Sequence, residues 1–273
     1  MQQFLRIIRA LGRVFPDCVM FSQAIAFNMF LAFFPMLLFA LGLLTSTTSF
    51  HDAVREIPER LREVLPPGSE DVVISYFVRK GVHPGRWMSL GFGGTLLAGT
   101  QVMAGFMEAF RVIDNDPVNP GFWHRTSRAL VLLMVTIIPF LVVVTITVFG
   151  RQFRGWVIRQ IGLAYLVREM GFLLYASLVF LLAMAVLVVI YKVGRPGHRG
   201  LRDLLPGAAF ATGLWWISDI SLGLYFRKMP YDVIYGGLAA AIGLLIWMDV
   251  TAFVVLWGAA YNSESLETKG SRF

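Results

Sequence analysis

The sequence predicts an all-α fold: a polytopic membrane helix bundle with six transmembrane helices and short amphipathic interfacial helices. Of its 273 residues, 57% are hydrophobic and 15% are charged, whereas soluble domains have about 45–50% apolar and about 25% charged residues. The apolar residues are gathered in runs of about twenty, the length that an α-helix needs to cross a bilayer. We therefore expect residues 1–273 to form a single membrane domain.

Residues 1–20 are expected to form a basic interfacial helix. Apolar residues recur at helical spacing on one face, and Arg6, Arg9 and Arg13 lie on the other. We favour contact of these arginines with lipid headgroups over the alternative, a cytosolic helix packed on the rest of the protein. Because Pro16 and Asp17 interrupt the pattern, this helix is expected to end before the first span.

Six apolar segments are predicted to cross the membrane. They cover about residues 22–45, 88–110, 129–149, 171–191, 205–226 and 235–260. Residues 50–87, the longest polar segment, carry two amphipathic patterns and are predicted to form a small extracytoplasmic helical cap. Six crossings place both termini on one side of the membrane, and the basic N-terminus indicates the cytoplasm.

The second span is unusually rich in glycine. Steps of three and four place one set of small and polar residues on a single helical face: Gly91, Gly94, Ala98, Gln101, Gly105 and Glu108. The glycines indicate close helix packing, whereas Gln101 and Glu108 make the same face a candidate lining of a polar path. Both interpretations stay open at this point.

Each of the last two apolar segments carries an acid in its interior, Asp219 in one and Asp249 in the other. A charged group near the centre of a membrane helix costs roughly 2.5–3.5 kcal/mol on insertion scales, so such acids mark candidate functional sites. The alternative is that each acid is neutral and hydrogen-bonded to a neighbouring helix. The candidates for a substrate or ion path are Asp219, Asp249, Gln101, Glu108, Asn28, Trp216 and Tyr235.

The chain has a formal net charge of +7. Most of its cations lie between the apolar runs, where anionic lipid headgroups explain them better than nucleic acid does. Arg151 and Arg154, which alternate with aromatic residues, are further predicted headgroup contacts. We therefore expect membrane lipids and no nucleic acid as partners, and the small-residue faces leave a homo-oligomer open.

The sequence carries no motif of a known catalytic or metal site. Its four histidines stand singly, and neither the phosphate-binding GxxxxGK[ST] pattern nor the nucleophile pattern GxSxG occurs. The single cysteine, Cys18, excludes an intrachain disulfide and a cysteine metal cluster. We therefore expect no enzyme activity, no metal and no cofactor.

The final pair of spans carries a distinctive set of residues: Asp203, Pro206-Gly207-Ala208, Trp215, Tyr225, Tyr235-Gly236-Gly237-Leu238, Trp247, Gly258-Ala259 and Asn262. Earlier segments add Ala26-Phe27, Leu31-Ala32, Phe34-Pro35 and Phe122-Trp123-His124-Arg125. With these residues the chain resembles the YihY/BrkB family of bacterial inner-membrane proteins over about residues 10–265. Asp249 departs from the family pattern, in which an aromatic or apolar residue is usual at this position.

The resemblance implies a protein of the bacterial inner membrane. Together with the intramembrane acids, it favours a transporter or a protein that handles lipids or envelope precursors through a polar intramembrane site. The alternative is a scaffold or assembly partner, with the glycine-rich second helix and the Gly236-Ala240-Gly243 stripe as interfaces. Members of the family are also called virulence factors, and the family once carried the label ribonuclease BN, which no motif of this sequence supports.

Overall fold

The structure is a computed structural model, which describes residues 2–46, 84–117, 120–137, 164–195, 200–228 and 238–270. The helices among these residues are α1 (Gln2–Ser46), α2 (Pro84–Ile113), α3 (residues 122–137), α4 (Ala164–Gly194), α5 (Leu201–Lys228) and α6 (Ala239–Gly270). No strand occurs in these described ranges, and the all-α prediction is confirmed for them.

Four helices are long and apolar enough to cross a membrane, judged by length and composition within the described residues. The four segments are Val14–Ala40, Met88–Ile113, Ser177–Gly194 and Ala239–Glu264. The other two predicted spans, 129–149 and 205–226, fall on α3 and α5. Only the first part of 129–149 is described, and α5 mixes its apolar residues with charged and small ones.

Helix α1 runs through Pro16 and Asp17, so the predicted break at these residues is wrong. A proline inside a helix removes one backbone hydrogen bond, and membrane helices tolerate such prolines. Apolar residues continue at helical spacing beyond the proline, and Cys18 and Ile25 are fully buried. Burial of these residues beyond the proline therefore offsets the lost hydrogen bond.

Several predicted features lie outside the described residues. They are residues 51–83, which make up most of the predicted cap, together with Arg151, Arg154 and Tyr235. Arg6, Arg9 and Arg13 lie in α1, and their contacts with lipid headgroups stay a prediction.

The chain divides into two compact units. The first unit consists of Met1–Val19, Phe106–Trp215 and Val254–Phe273, and the second consists of Met20–Gly105 and Trp216–Phe253. Each unit draws on separate stretches of sequence, so each is held together by contacts between helices that are distant along the chain.

Helices α1 and α2 pack antiparallel within the second unit. A β-carbon placed on Gly91 would lie 2.5 Å from the backbone nitrogen of Phe39, and one placed on Gly105 would lie 3.0 Å from Cγ1 of Ile25. One placed on Gly94 would lie 2.8 Å from Cβ of Pro35 in α1. Such distances leave no room for a side chain, so the close-packing interpretation is confirmed at these three glycines.

Candidate functional site

In the first unit, helices α5 and α6 cross at two glycines. A β-carbon on Gly207 would overlap the carbonyl oxygen of Gly258. One on Gly258 would lie 2.6 Å from the carbonyl oxygen of Gly207 and 2.5 Å from the hydroxyl oxygen of Tyr191. Only glycine allows two helix backbones to approach this closely.

Asn262 holds this crossing together. Its side chain is fully buried, its Oδ1 accepts a hydrogen bond from the Gly207 N–H at 2.7 Å, and its Nδ2 donates to the Leu204 carbonyl oxygen at 3.0 Å. Pro206 lies between these two backbone groups. Asn262 of α6 therefore bonds two backbone groups of α5 on either side of this proline.

A buried ion pair joins the end of α4 to the turn after α2. Arg195 donates to Asp114 from Nε at 2.9 Å and also from Nη2, and its Nη1 donates to the Ala259 carbonyl oxygen at 2.8 Å. Ser263 Oγ adds a hydrogen bond to Asp114 Oδ1 at 2.9 Å. The Arg195 and Asp114 side chains are 1% and 3% exposed, so each charge depends on this pairing.

The turn after α2 is a Schellman cap. The Asp116 N–H donates to the Arg111 carbonyl oxygen at 3.0 Å and the Asn115 N–H to that of Val112 at 3.1 Å, which is the bond pair of this motif. Asn115 has a φ of 52°, in the left-handed region that asparagine tolerates better than most residues. The cap directs Asp114 to Arg195 and leaves Asp116 in the wall of a pocket.

This pocket, the arginine pocket, lies among the end of α2, the start of α3 and the end of α4. It has a volume of about 310 Å³ and is lined by Met107, Glu108, Arg111, Asp116, Pro120, His124, Arg125, Arg128 and Gly194. Glu108 lies between two arginines, 2.9 Å from Nη2 of Arg111 and 3.7 Å from Nη1 of Arg125. Arg128 donates to the Val193 carbonyl oxygen at 3.4 Å. With three arginines against two acids, the lining carries an excess of positive charge.

The two predicted intramembrane acids belong to the second unit, where each has a hydrogen-bond donor on a neighbouring helix. Asp249 of α6 is half-buried and accepts a hydrogen bond from Ser22 Oγ of α1 at 2.6 Å. Asp219 of α5 is exposed and accepts one from Trp247 Nε1 of α6 at 3.1 Å. These bonds agree with the alternative that each acid is hydrogen-bonded to a neighbouring helix. That the two acids take part in an ion path stays a prediction.

The other predicted path residues are spread through the chain. Gln101 is exposed on α2, Trp216 is half-buried on α5, and Asn28 donates to a carbonyl oxygen of its own helix. Glu108 belongs to the first unit, where it lines the arginine pocket. The predicted path residues in the described ranges therefore belong to four different helices and to both units.

The predicted site residues do not include Asp114, Arg195 or the arginines of the pocket, although Arg125 belongs to the stretch Phe122-Trp123-His124-Arg125 that carries the family resemblance. These charges lie at helix ends and in connections, where solvated charges are the usual expectation. A weak signal is that Asp114 and Arg195 each directly follow a long apolar helix. Within the described residues, no group of three or more His, Cys, Asp or Glu side chains could hold a metal ion.

The family described as Virulence factor BrkB matches residues 15–272 of this sequence. The chain belongs to this family. The match confirms the resemblance found in the sequence, and the structure shows what three of the residues that carry it do. In this BrkB-family chain, Gly207 and Gly258 form the crossing of α5 and α6, and Asn262 holds it.

The chain is also similar to several bacterial proteins. YfkH, a ribonuclease-like protein of Bacillus subtilis, is 22% identical over 245 residues, which cover 89% of this chain and 88% of that protein. A UPF0761 membrane protein of Bordetella petrii is 25% identical over 247 residues, 87% of this chain but 52% of that protein. One from Pseudoalteromonas translucida is 24% identical over 248 residues, 86% and 77% of the two chains. No solved structure matches the chain. The family match, together with these two membrane-protein relatives, shows that this BrkB-family chain is a membrane protein.

Proposed function

We propose that this BrkB-family protein is a transporter, or a protein that handles lipids or envelope precursors, in the bacterial inner membrane. In this proposal all six helices cross the membrane, both termini are cytoplasmic, and a polar site among the helices acts on the substrate. The supporting observation is that two carboxylates inside long helices are held by donors on a neighbouring helix, Asp249 by Ser22 and Asp219 by Trp247.

Asp219 supports a polar site more strongly than Asp249 does. It is exposed, and its neighbours Ile217 and Ile220 are 63% and 62% exposed, so no other part of the described chain covers this face. A carboxylate in hydrocarbon costs about 2.5–3.5 kcal/mol, whereas one hydrogen bond contributes about 1 kcal/mol. The Trp247 indole therefore offsets only part of the cost, and a polar substrate, proton or cation beside Asp219 completes its surroundings.

Asp249 offers a way to couple ion binding to helix contact. It lies in the apolar segment Ala239–Glu264, and its partner Ser22 lies in Val14–Ala40. Proton or cation binding at the Asp249 carboxylate changes its short bond to Ser22 and thereby the contact of α6 with α1.

The scaffold alternative receives less support. One of its two proposed interfaces, the glycine-rich face of α2, already approaches α1 at Gly91, Gly94 and Gly105. The other, the Gly236-Ala240-Gly243 stripe, lies partly outside the described residues and stays a prediction. The ribonuclease-like name of the Bacillus protein is not carried over to this chain, because no motif of the sequence supports it.

The test measures how fast a fluorescent phosphatidylglycerol moves from one leaflet to the other in the bilayer of vesicles that contain the purified protein. Asp219→Asn and Asp249→Asn should each slow the crossing roughly tenfold, equivalent to about 1.4 kcal/mol in the barrier. Ser22→Ala, which keeps both carboxylates, should slow it less. Ser221→Ala is the matched control, because this hydroxyl donates only within its own helix, to the Ile217 carbonyl oxygen. Wild-type rates in both Asn variants, with wild-type folding, would remove the acids from the mechanism.

A further inference from the structure

The arginine pocket has the charge arrangement of an anion site. One carboxylate, Glu108, faces both Arg111 and Arg125. Arg128 uses one donor on a neutral group, the Val193 carbonyl oxygen. Asp116 is the second acid of the lining, so three guanidinium groups face two carboxylates, and guanidinium groups match the oxygen geometry of phosphate.

Arg125 is held by Glu108 less tightly than Arg111 is. Its contact with Glu108 is the longer of the two, 3.7 Å against 2.9 Å for Arg111, and its side chain is 41% exposed against 19%. An incoming anion can reach this guanidinium without breaking a short ion pair.

The position of the pocket indicates where the anion comes from. The apolar segments of α2 and α4 end at Ile113 and Gly194, and Gly194 lines the pocket. Beside it, Phe122 and Trp123 at the start of α3 are 69% and 83% exposed. Exposed aromatic residues at the ends of membrane helices lie at the level of the lipid headgroups. A volume of about 310 Å³ lies at the lower end of the range of ligand sites and suits a headgroup.

We infer that the arginine pocket binds the phosphate of an anionic lipid headgroup, with Arg125 and Arg128 as donors. This assignment names the ligand class for the lipid handling proposed above, and rests on that proposal for the source of the phosphate. A soluble phosphate offers the same chemistry, so the experiment has one arm for each source.

The experiment measures equilibrium binding to the whole protein in detergent micelles, with no transport step. The probe is phosphatidylglycerol, compared with zwitterionic phosphatidylcholine, and the bound lipid is counted by native mass spectrometry. Arg125→Gln should weaken phosphatidylglycerol binding about tenfold. Arg202→Gln removes the same charge from an exposed arginine outside the pocket and should leave binding unchanged.

Glu108→Gln provides a gain that a folding defect cannot produce. It removes the carboxylate that competes for Arg111 and Arg125, so phosphatidylglycerol should bind several-fold more tightly. Unchanged binding in Arg125→Gln, or an equal loss in Arg202→Gln, would overturn the site.

The second arm titrates inorganic phosphate into lipid-free micelles. Arg125-dependent binding of inorganic phosphate, without preference for phosphatidylglycerol, would overturn the assignment to a lipid and leave a soluble anion as the ligand. Conversely, Arg125-dependent phosphatidylglycerol binding by a protein that moves no lipid across vesicles would support the site and refute the proposed function.

Discussion

Replacing Gly207 by alanine should separate α5 from α6 in the first unit. The added β-carbon would overlap the Gly258 carbonyl oxygen and lie 2.5 Å from Nδ2 of Asn262, whereas ordinary contact begins at 3.4 Å. The two helices must therefore move apart locally, because a backbone atom cannot rotate away as a side chain can. The same movement stretches the Asn262 bonds to Gly207 and Leu204, which are 2.7 Å and 3.0 Å long.

The size of the effect of Gly207→Ala follows from these two losses. Overpacking costs about 1–3 kcal/mol, and a buried polar group left without its partner adds about 1–3 kcal/mol. In membranes, hydrogen bonds between helices average only about 0.6 kcal/mol, because the unfolded helices also find partners. We therefore expect the free energy of unfolding to fall by roughly 2–4 kcal/mol.

The assay is unfolding of the purified protein in mixed micelles with increasing sodium dodecyl sulfate, followed by tryptophan fluorescence and circular dichroism. Gly213→Ala in the same helix is the matched control, because a β-carbon there meets nothing within 4 Å. Since alanine forms helices better than glycine by about 1 kcal/mol, this control should be at least as stable as the wild type. A Gly207→Ala protein as stable as Gly213→Ala would refute the proposed crossing.

The buried ion pair and the α1–α2 contact give two further predictions for the same unfolding assay. Asp114→Asn and Arg195→Gln each strand a buried charge and should each cost about 3–5 kcal/mol, with the double variant costing less than the two together. Additive losses in this double-mutant cycle would contradict the pair. Gly91→Ala, whose β-carbon would lie 2.5 Å from the Phe39 backbone nitrogen, should cost about 1–3 kcal/mol. Gly93→Ala meets nothing within 4 Å and should cost nothing, so equal effects of these two substitutions would count against the antiparallel packing.

The apolar runs predict the helices because hydrocarbon sets both the length and the composition of a spanning segment. The predicted span 88–110 corresponds to Met88–Ile113. The predicted break at Pro16 is wrong because a proline removes one hydrogen bond, whereas α1 continues beyond it with Cys18 and Ile25 fully buried. In this fold, the bounds of a helix therefore depend less on a single residue such as Pro16 than on the long apolar run that contains it.

The site depends on contacts that no local pattern encodes. Asp219 and Asp249 stand out in their apolar surroundings, but Ser22, the partner of Asp249, lies 227 residues away. Arg195 reads as one cation of a basic connection, and nothing near it indicates Asp114, 81 residues earlier. The sequence therefore identifies acids that are costly in a membrane, and only the fold shows which groups stabilise them.

The most direct test of lipid handling is the rate at which fluorescent phosphatidylglycerol moves between the two leaflets of vesicles that contain the wild-type protein. The comparison is the same rate in protein-free vesicles. We predict a faster rate with the protein, and a return towards the protein-free rate in the Asp219→Asn, Asp249→Asn double variant. A wild-type rate equal to that of protein-free vesicles, from protein that is folded by its unfolding curve, would contradict the proposed handling of lipids.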